Sequence, residues 1–213
     1  MNELTDRRLE EKERRRAELL DAAEAVAAEV GIEQMTMDEV ARRARLSRAL
    51  LYVYFQDKDD LLLAICERAL ETLRLRFVDA VAWHSNGLEQ VEACGQAYVT
   101  FAQEFPVHFE ALARFEAHAA DISPDAGNEG ACVAAGDRVH QIMVQAIEQG
   151  IRDGSVRADV GTPMLVAVTL WAFMHGTIQL AATKANVLAH DGVSTQQLVS
   201  NGLQLCRRSI AAN

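Results

Sequence analysis

The chain has 213 residues, half of them apolar and 6% aromatic, with three prolines and a formal net charge of −10. That length supports one or two units with substantial cores, and a chain rich in Ala and Leu favours helix, because these side chains lose little rotamer freedom there. The acidic balance excludes a bulk nucleic-acid coat but leaves sequence-specific DNA binding open, since that depends on where the positive charge sits.

No run of about 18 uncharged apolar residues is found, so no membrane span is expected. Charge from Glu3 onward leaves no apolar signal core, and a cytoplasmic protein is expected. Cys66, Cys94, Cys132 and Cys206 are scattered without a CxxC pair, so reduced thiols are expected, with no structural metal and no cofactor.

Residues 1–60 hold 11 Lys/Arg and 15 Asp/Glu, so even this part is formally acidic. Its first stretch interleaves Arg7, Arg8, Lys12, Arg14, Arg15 and Arg16 with Glu10, Glu11 and Glu13. That pattern reads as a solvated helix face with i,i+4 ion pairs, an arm contacting phosphates being the alternative. Leu19, Leu20, Ala23, Val26, Ala27 and Val30 share one face of a helix, which Gly31 can end. Thr36 and Glu39 form a capping box that opens a short second helix, with Val40, Ala41 and Ala44 along it. Ser47 is a good N-cap for a third short helix bearing Arg48, Leu50, Leu51 and Tyr52. Arg42, Arg43, Arg45 and Arg48 make a local patch with no acid among them. Asp57 can cap a fourth helix, in which Leu61, Leu62, Ile65, Ala69, Leu73 and Phe77 keep the apolar period. Two short helices joined by a tight turn and braced by longer ones describe a helix-turn-helix, whose second helix must present polar residues to base edges. Ser47 and Arg48 meet that need, and Ala41 suits the close contact between the two helices.

Downstream the spacing predicts helices over 76–83, 88–104 and 107–119, with Pro106 breaking the pattern between the last two. Residues 122–130 read as a loop, rich in Asp, Ser, Pro, Gly and Asn. A helix is predicted from Ala131 to Arg152, and another from Met164 to about Leu188 after the Thr162-Pro163 start signal. Ser194 and Gln197 form a capping box for a last helix reaching about Ala211. The stretch Leu165–Ala182 is so apolar that it must be covered nearly all round, which implies a partner surface.

The run from Ile32 to Leu61, with Thr36, Ala41, Ser47, Leu51, Tyr52, Tyr54, Phe55 and Lys58 in place, resembles the DNA-binding domain of the TetR family of transcriptional repressors. The resemblance covers about 50 residues. It departs at the turn, where the family usually has Gly and this chain has Arg45, a position at which positive φ costs a side-chain-bearing residue energy. It implies an all-α fold: a three-helix helix-turn-helix domain with its N-terminal arm over 1–60, and a helical ligand-binding and dimerisation domain over 61–213. It further implies a homodimer that binds a pseudo-palindromic double-stranded DNA operator and a small-molecule inducer, by default mostly apolar or aromatic and of unknown identity, that relieves repression.

Roles follow residue by residue. Thr36 and Ser47, at helix N-termini, are placed to meet phosphates. Tyr52, Tyr54 and Lys58 can donate to phosphate, and Arg43 and Arg45 are read as phosphate contacts. Arg48 is the expected base reader, because its fork matches guanine O6 and N7, and Leu50 is placed to touch a thymine methyl. For the inducer pocket the sequence offers Phe101, Phe105, His108, Phe109, Phe115, His118, His140, Met143, Trp171, Met174 and His175. Read singly, each apolar residue among them is more often core. His108, His118 and His140 lack HxxxH or HxH spacing, so no metal site is expected. The last two long helices are expected to form a four-helix bundle across the dimer, with Val166, Leu170, His175, Gln179, Leu198, Leu205 and Ile210 as candidates. Ligand would favour a domain arrangement whose recognition-helix separation no longer fits the operator, the fourth helix linking pocket to DNA domain. The main alternative is a DNA-binding regulator without an inducer, whether constitutive repressor or activator. Further off are a structural helical dimer and a helical enzyme, the latter without a Gly-rich phosphate loop, GxSxG or HExxH motif.

Overall fold

The structure, a computed structural model, describes residues 3–117, 119–120 and 127–212. Among the described residues are ten α-helices: α1 (Glu3–Val30), α2 (Met37–Arg43), α3 (Arg48–Tyr54), α4 (Lys58–Ala82), α5 (Gly87–Glu104), α6 (Pro106–Glu116), α7 (Gly127–Asp153), α8 (Pro163–Thr183), α9 (Ala185–His190) and α10 (Thr195–Ile210). The one extended pairing among them is an isolated antiparallel bridge between Val156 and Ala211, so the fold is all-α. The described residues divide into two compact units, one of Met1–Ala69 with Pro106–Val133, the other of Leu70–Phe105 with Ala134–Asn213.

In the first unit the predicted face of α1 is buried at Leu19, Leu20, Ala23, Val26 and Ala27. Val40, Ala41, Leu51, Phe55, Leu61 and Ile65 close the core over it, joined by Ala111 of α6. Upstream on α1, Arg14 and Arg15 each bridge Glu11 and Glu18 at 2.6–3.1 Å, so the interleaved charges form an ion-paired, solvated face. The caps lie where local chemistry puts them. Thr36 Oγ1 accepts from the Glu39 amide at 3.3 Å while the Glu39 carboxylate accepts from the Thr36 amide at 3.0 Å. Ser47 Oγ accepts from the Leu50 amide at 3.1 Å, and Asp57 Oδ1 from the Asp60 amide at 2.9 Å.

In the second unit, α5 starts against the backbone of α7. A Cβ on Gly87 would lie 2.0 Å from the Gly150 amide nitrogen and 2.3 Å from the Ala146 carbonyl oxygen, so only glycine allows the crossing. Three side chains take the first amides of α5: Asp153 accepts from Gly87 at 2.9 Å, Ser155 from Leu88 at 3.1 Å and Asn86 from Glu89 at 2.9 Å. On α8, Val166, Ala167, Leu170, Met174 and Ile178 are buried, and the helix packs against α10 and α5. α10 approaches α8 closely at Gly202, where a Cβ would lie 3.1 Å from Thr177 and 3.3 Å from Met174.

Several boundaries depart from the sequence reading. α4 runs unbroken through Phe77 to Ala82, where the spacing predicts two helices. α7 begins at Gly127, so residues 127–130 are helix and not loop; residues 122–126 of the predicted loop lie outside the described residues. α6 ends at Glu116 instead of Ala119. α8 stops at Thr183, and α9 follows past Lys184 where one helix to Leu188 is predicted. α8 is also long and apolar enough, by length and composition, to cross a membrane, which corrects the count of apolar runs; Thr, His and Gln interrupt that count without making the helix polar.

Candidate functional site

The turn between α2 and α3 sets the aim of α3. After the C-cap Ala44, Arg45 takes φ 56°, the one positive φ among described non-glycine residues. The amide of Arg45 donates to Arg42 O at 3.2 Å and that of Leu46 to Ala41 O at 3.0 Å, the paired bonds of a Schellman motif. The end of α9 builds the same motif with Gly192 at φ 73°, Gly192 donating to Ala189 O and Val193 to Leu188 O. Arg45 thus occupies a glycine's conformation.

On α3, Leu51 is fully buried while Arg48, Ala49, Tyr52 and Val53 are exposed. Leu50 and Tyr54 are half-buried, as is Lys58 at the start of α4. Thr36, Arg43, Arg45 and Ser47 are exposed, so all nine predicted DNA contacts lie around the α2–α3 turn and the adjoining helix starts, with side chains at least partly reachable. Their electrostatics are less open than the sequence suggests. Arg48 makes a two-point bridge to Asp38, at 3.0 and 3.2 Å, and its guanidinium lies 5.5 Å from the Tyr52 ring centre. Arg43 is hydrogen-bonded to Glu29, which holds the Glu29 carboxyl below its usual range. Lys58 Nζ donates to Glu33 O at 2.7 Å. Both donors of Thr36, amide and hydroxyl, face the Glu39 carboxylate at 3.0 and 2.8 Å, so the capping box occupies the donors assigned to phosphate. Two residues the sequence did not single out belong here. Asp38 reaches Arg48 across the turn, a pairing no helical period announces, and Val53, 74% exposed, puts an apolar side chain on the open face of α3.

The second unit holds a cleft of about 1030 Å³. Leu75 and Phe77 of α4, Trp83 just past its end, Val91, Cys94 and Tyr98 of α5, Val139, His140 and Met143 of α7, Leu170, Trp171 and Met174 of α8, and Leu203 of α10 line it, with Arg76 and Arg207 among the charged lining residues. Of the eleven predicted pocket residues, His140, Met143, Trp171 and Met174 are in the lining. His175 borders Tyr98, its Nδ1 2.7 Å from the phenol oxygen. Phe101 is fully buried, 6.3 Å from the Tyr98 ring and 5.7 Å from Phe105, which itself lies 5.0 Å beneath the Arg76 guanidinium. His108, Phe109 and Phe115 belong to α6 in the first unit, where His108 Nε2 is 3.2 Å from Glu24. Phe101, His108 and Phe109 are buried in their units, while Phe105 and Phe115 are half-buried, and none of the five is in the lining. His118 lies outside the described residues. The cleft residues of α4 and α5 carry ordinary helical spacing, so only the fold gathers them. Burial favours the uncharged form of three groups near the cleft: it pushes the Cys94 thiol up to about 12 and holds His140 and His175 below the usual histidine range.

The predicted bundle face is also turned. Val166, Leu170 and Ile210 are 7%, 8% and 3% exposed within the single chain, and His175 is buried, so these side chains serve the core. The outward stripe of α8 is instead Leu165, Val168, Phe173 and Leu180, with Gln179 exposed beside it. On α10, Leu205 is exposed and Leu198 half-buried.

Comparison with known proteins places these units. Residues 19–65 match the model of bacterial regulatory proteins of the tetR family, and residues 91–201 match the tetracyclin repressor-like C-terminal domain. Over 92 residues the chain is 30% identical to the HTH-type transcriptional activator FasR of Mycolicibacterium smegmatis, covering 43% of this chain and 42% of that protein. Over 69 residues it is 38% identical to the HTH-type transcriptional regulator HbdR of Aromatoleum sp., covering 32% and 29%. The chain thus spans less than half the length of these curated relatives. A protein of unknown function from Rhodococcus sp. RHA1 superposes with TM-score 0.71 at 24% identity, over 92% of this chain and 95% of that one. The ketosteroid transcriptional regulator KstR2 of Mycobacterium tuberculosis superposes with TM-score 0.65 at 21% identity, over 93% and 96%.

Proposed function

From the premise that this chain belongs to the tetR family of bacterial regulatory proteins, and so is a DNA-binding transcriptional regulator, we propose that it is a homodimeric repressor released from its operator by a small molecule. The observation that carries this is the pairing of a Ser47-capped, exposed α3 with an apolar cleft elsewhere in the same chain. Residues 1–60 supply the DNA-binding part and residues 61–213 the regulatory part. Arg48 reads a base, helped by the apolar Leu50 and Val53; Arg43, Arg45, Ser47, Tyr52, Tyr54, Lys58 and Thr36 hold phosphates. DNA phosphates exchange with Asp38, Glu29 and Glu39 for these donors, an exchange between exposed partners that costs little.

Two copies join through the outward stripe of α8 and the Leu205 side of α10, which covers the apolar residues the single chain leaves exposed. A twofold dimer presents two α3 helices to a pseudo-palindromic operator. The effector site is the cleft, whose α4 wall at Leu75 and Phe77 belongs to the helix that begins at Lys58. Ligand preferring a conformer with misplaced α3 helices by a few kcal/mol is enough to vacate the operator. This is a binding protein and not an enzyme, and it works in the cytoplasm, where its DNA is. Activation is the second reading, favoured by the likeness to the transcriptional activator FasR. A promoter–reporter fusion in cells with and without the gene tests the sign: expression rises on deletion for a repressor and falls for an activator.

A further inference from the structure

We propose that the cleft of the second unit selects an uncharged, largely apolar ligand and discriminates against carboxylate-bearing molecules of the same shape. The inference rests on the reading of this cleft as the effector site. Its inner wall is apolar and buried at Phe77, Val91, Val139, Met143, Leu170 and Met174. At about 1030 Å³ it stands at the upper end of the volumes that hold drug-sized molecules, roughly 300–1,000 Å³.

Charge complementarity points away from anions. The two arginines of the lining are both committed: Arg76 is 2.5 Å from Glu104 and stacked over Phe105, and Arg207 is bonded to Glu92. Asp79 and Glu89 add further negative charge to the lining. An entering carboxylate must displace a resident one, and because both pairs are partly exposed, exchanging one ion pair for another gains it little. The inner wall offers neutral hydrogen-bonding groups instead. Tyr98 lies against His175 at 2.7 Å, and His140 meets the Trp171 ring edge-on at 5.3 Å between centres. These suit a hydroxyl or carbonyl on an otherwise apolar body. The burial that keeps His140, His175 and Cys94 uncharged penalises a charged ligand for the same reason.

The test uses the full chain with Trp83→Phe, which leaves Trp171 as the one tryptophan of the two. Nile red, neutral and apolar, is bound and read by energy transfer from Trp171, then displaced by 1-decanol or by decanoate near neutral pH. Decanol is expected to displace it at a concentration about tenfold lower than decanoate. Glu104→Gln, which releases Arg76, is expected to narrow that ratio to about threefold. Decanoate acting at an equal or lower concentration than decanol overturns the selectivity, and an unchanged ratio in Glu104→Gln overturns its assignment to paired arginines. Nile red that draws no energy transfer from Trp171 overturns the effector-site reading itself, and the inference falls with it.

Discussion

At the scale of single residues, Arg45 is the position where conformation and function pull apart. Its φ of 56° lies in the left-handed region where Gly192, at 73°, sits in the equivalent bonds at the end of α9. A left-handed conformation costs an L residue about 1 kcal/mol, which a glycine there recovers. Arg45→Gly is therefore expected to raise the melting temperature by about 2–4 °C while weakening DNA binding through a lost phosphate contact; a melt no higher than wild type contradicts the strain. The sequence shows this conflict openly, since only the comparison with a glycine-bearing turn is needed to see it. His175 carries a second residue-scale expectation. Its burial lowers its pKa, so above the unfolded value of about 6.5 both states are neutral and no penalty exists. As pH falls below that value the unfolded chain takes a proton that the folded chain resists, and stability declines. The melting temperature should drop from pH 7 to pH 5, and His175→Gln, which can still accept from Tyr98, should flatten that drop in a melting series.

At the scale of elements, what the sequence reveals is what local chemistry decides. The capping boxes at Thr36–Glu39 and Ser194–Gln197 and the Ser47 cap were readable because a side chain and the amide it bonds lie within three residues. Removing one such cap, as in Ser47→Ala, is expected to cost about 1 kcal/mol in denaturant titrations. The break at Lys184 was not readable, since no Gly or Pro stands there to stop the apolar run. The inner face of α8 was not readable either, because a helix apolar all round gives periodicity no direction; hence Val166 and Leu170 read as partner contacts and turn out to be core. The crossing of α5 and α7 lies between Gly87 and Gly150, 63 positions apart in the chain, and no local signal marks it. There a methyl group meets backbone and nothing flexible, so Gly87→Ala should destabilise by about 3 kcal/mol, at the upper end of overpacking costs. A loss under about 0.5 kcal/mol, the scale of an ordinary surface change, would mean that the helices can separate freely.

At the scale of the whole molecule, the proposed interface has an acidic chain bind DNA through a few cations on one small surface. Arg43, Arg45 and Lys58 give three phosphate-directed cations per protomer, so a dimer should show a log–log salt slope of about −5. The outward stripe of α8 predicts the assembly: Leu165→Asp or Phe173→Asp should yield monomers in sedimentation and lose operator affinity, since each α3 then binds alone. The cleft was largely invisible in the sequence, because α4, α5, α7, α8 and α10 each contribute residues that look like core singly.

The most direct test is selection of bound duplexes from random DNA, followed by titration of the selected operator and a scrambled duplex with wild type and Arg48→Ala. The account predicts a twofold-symmetric operator, and a loss of about 1–3 kcal/mol on that operator for Arg48→Ala with little change on scrambled DNA. Unchanged operator affinity in Arg48→Ala would contradict the assignment of α3 as the reading helix through Arg48.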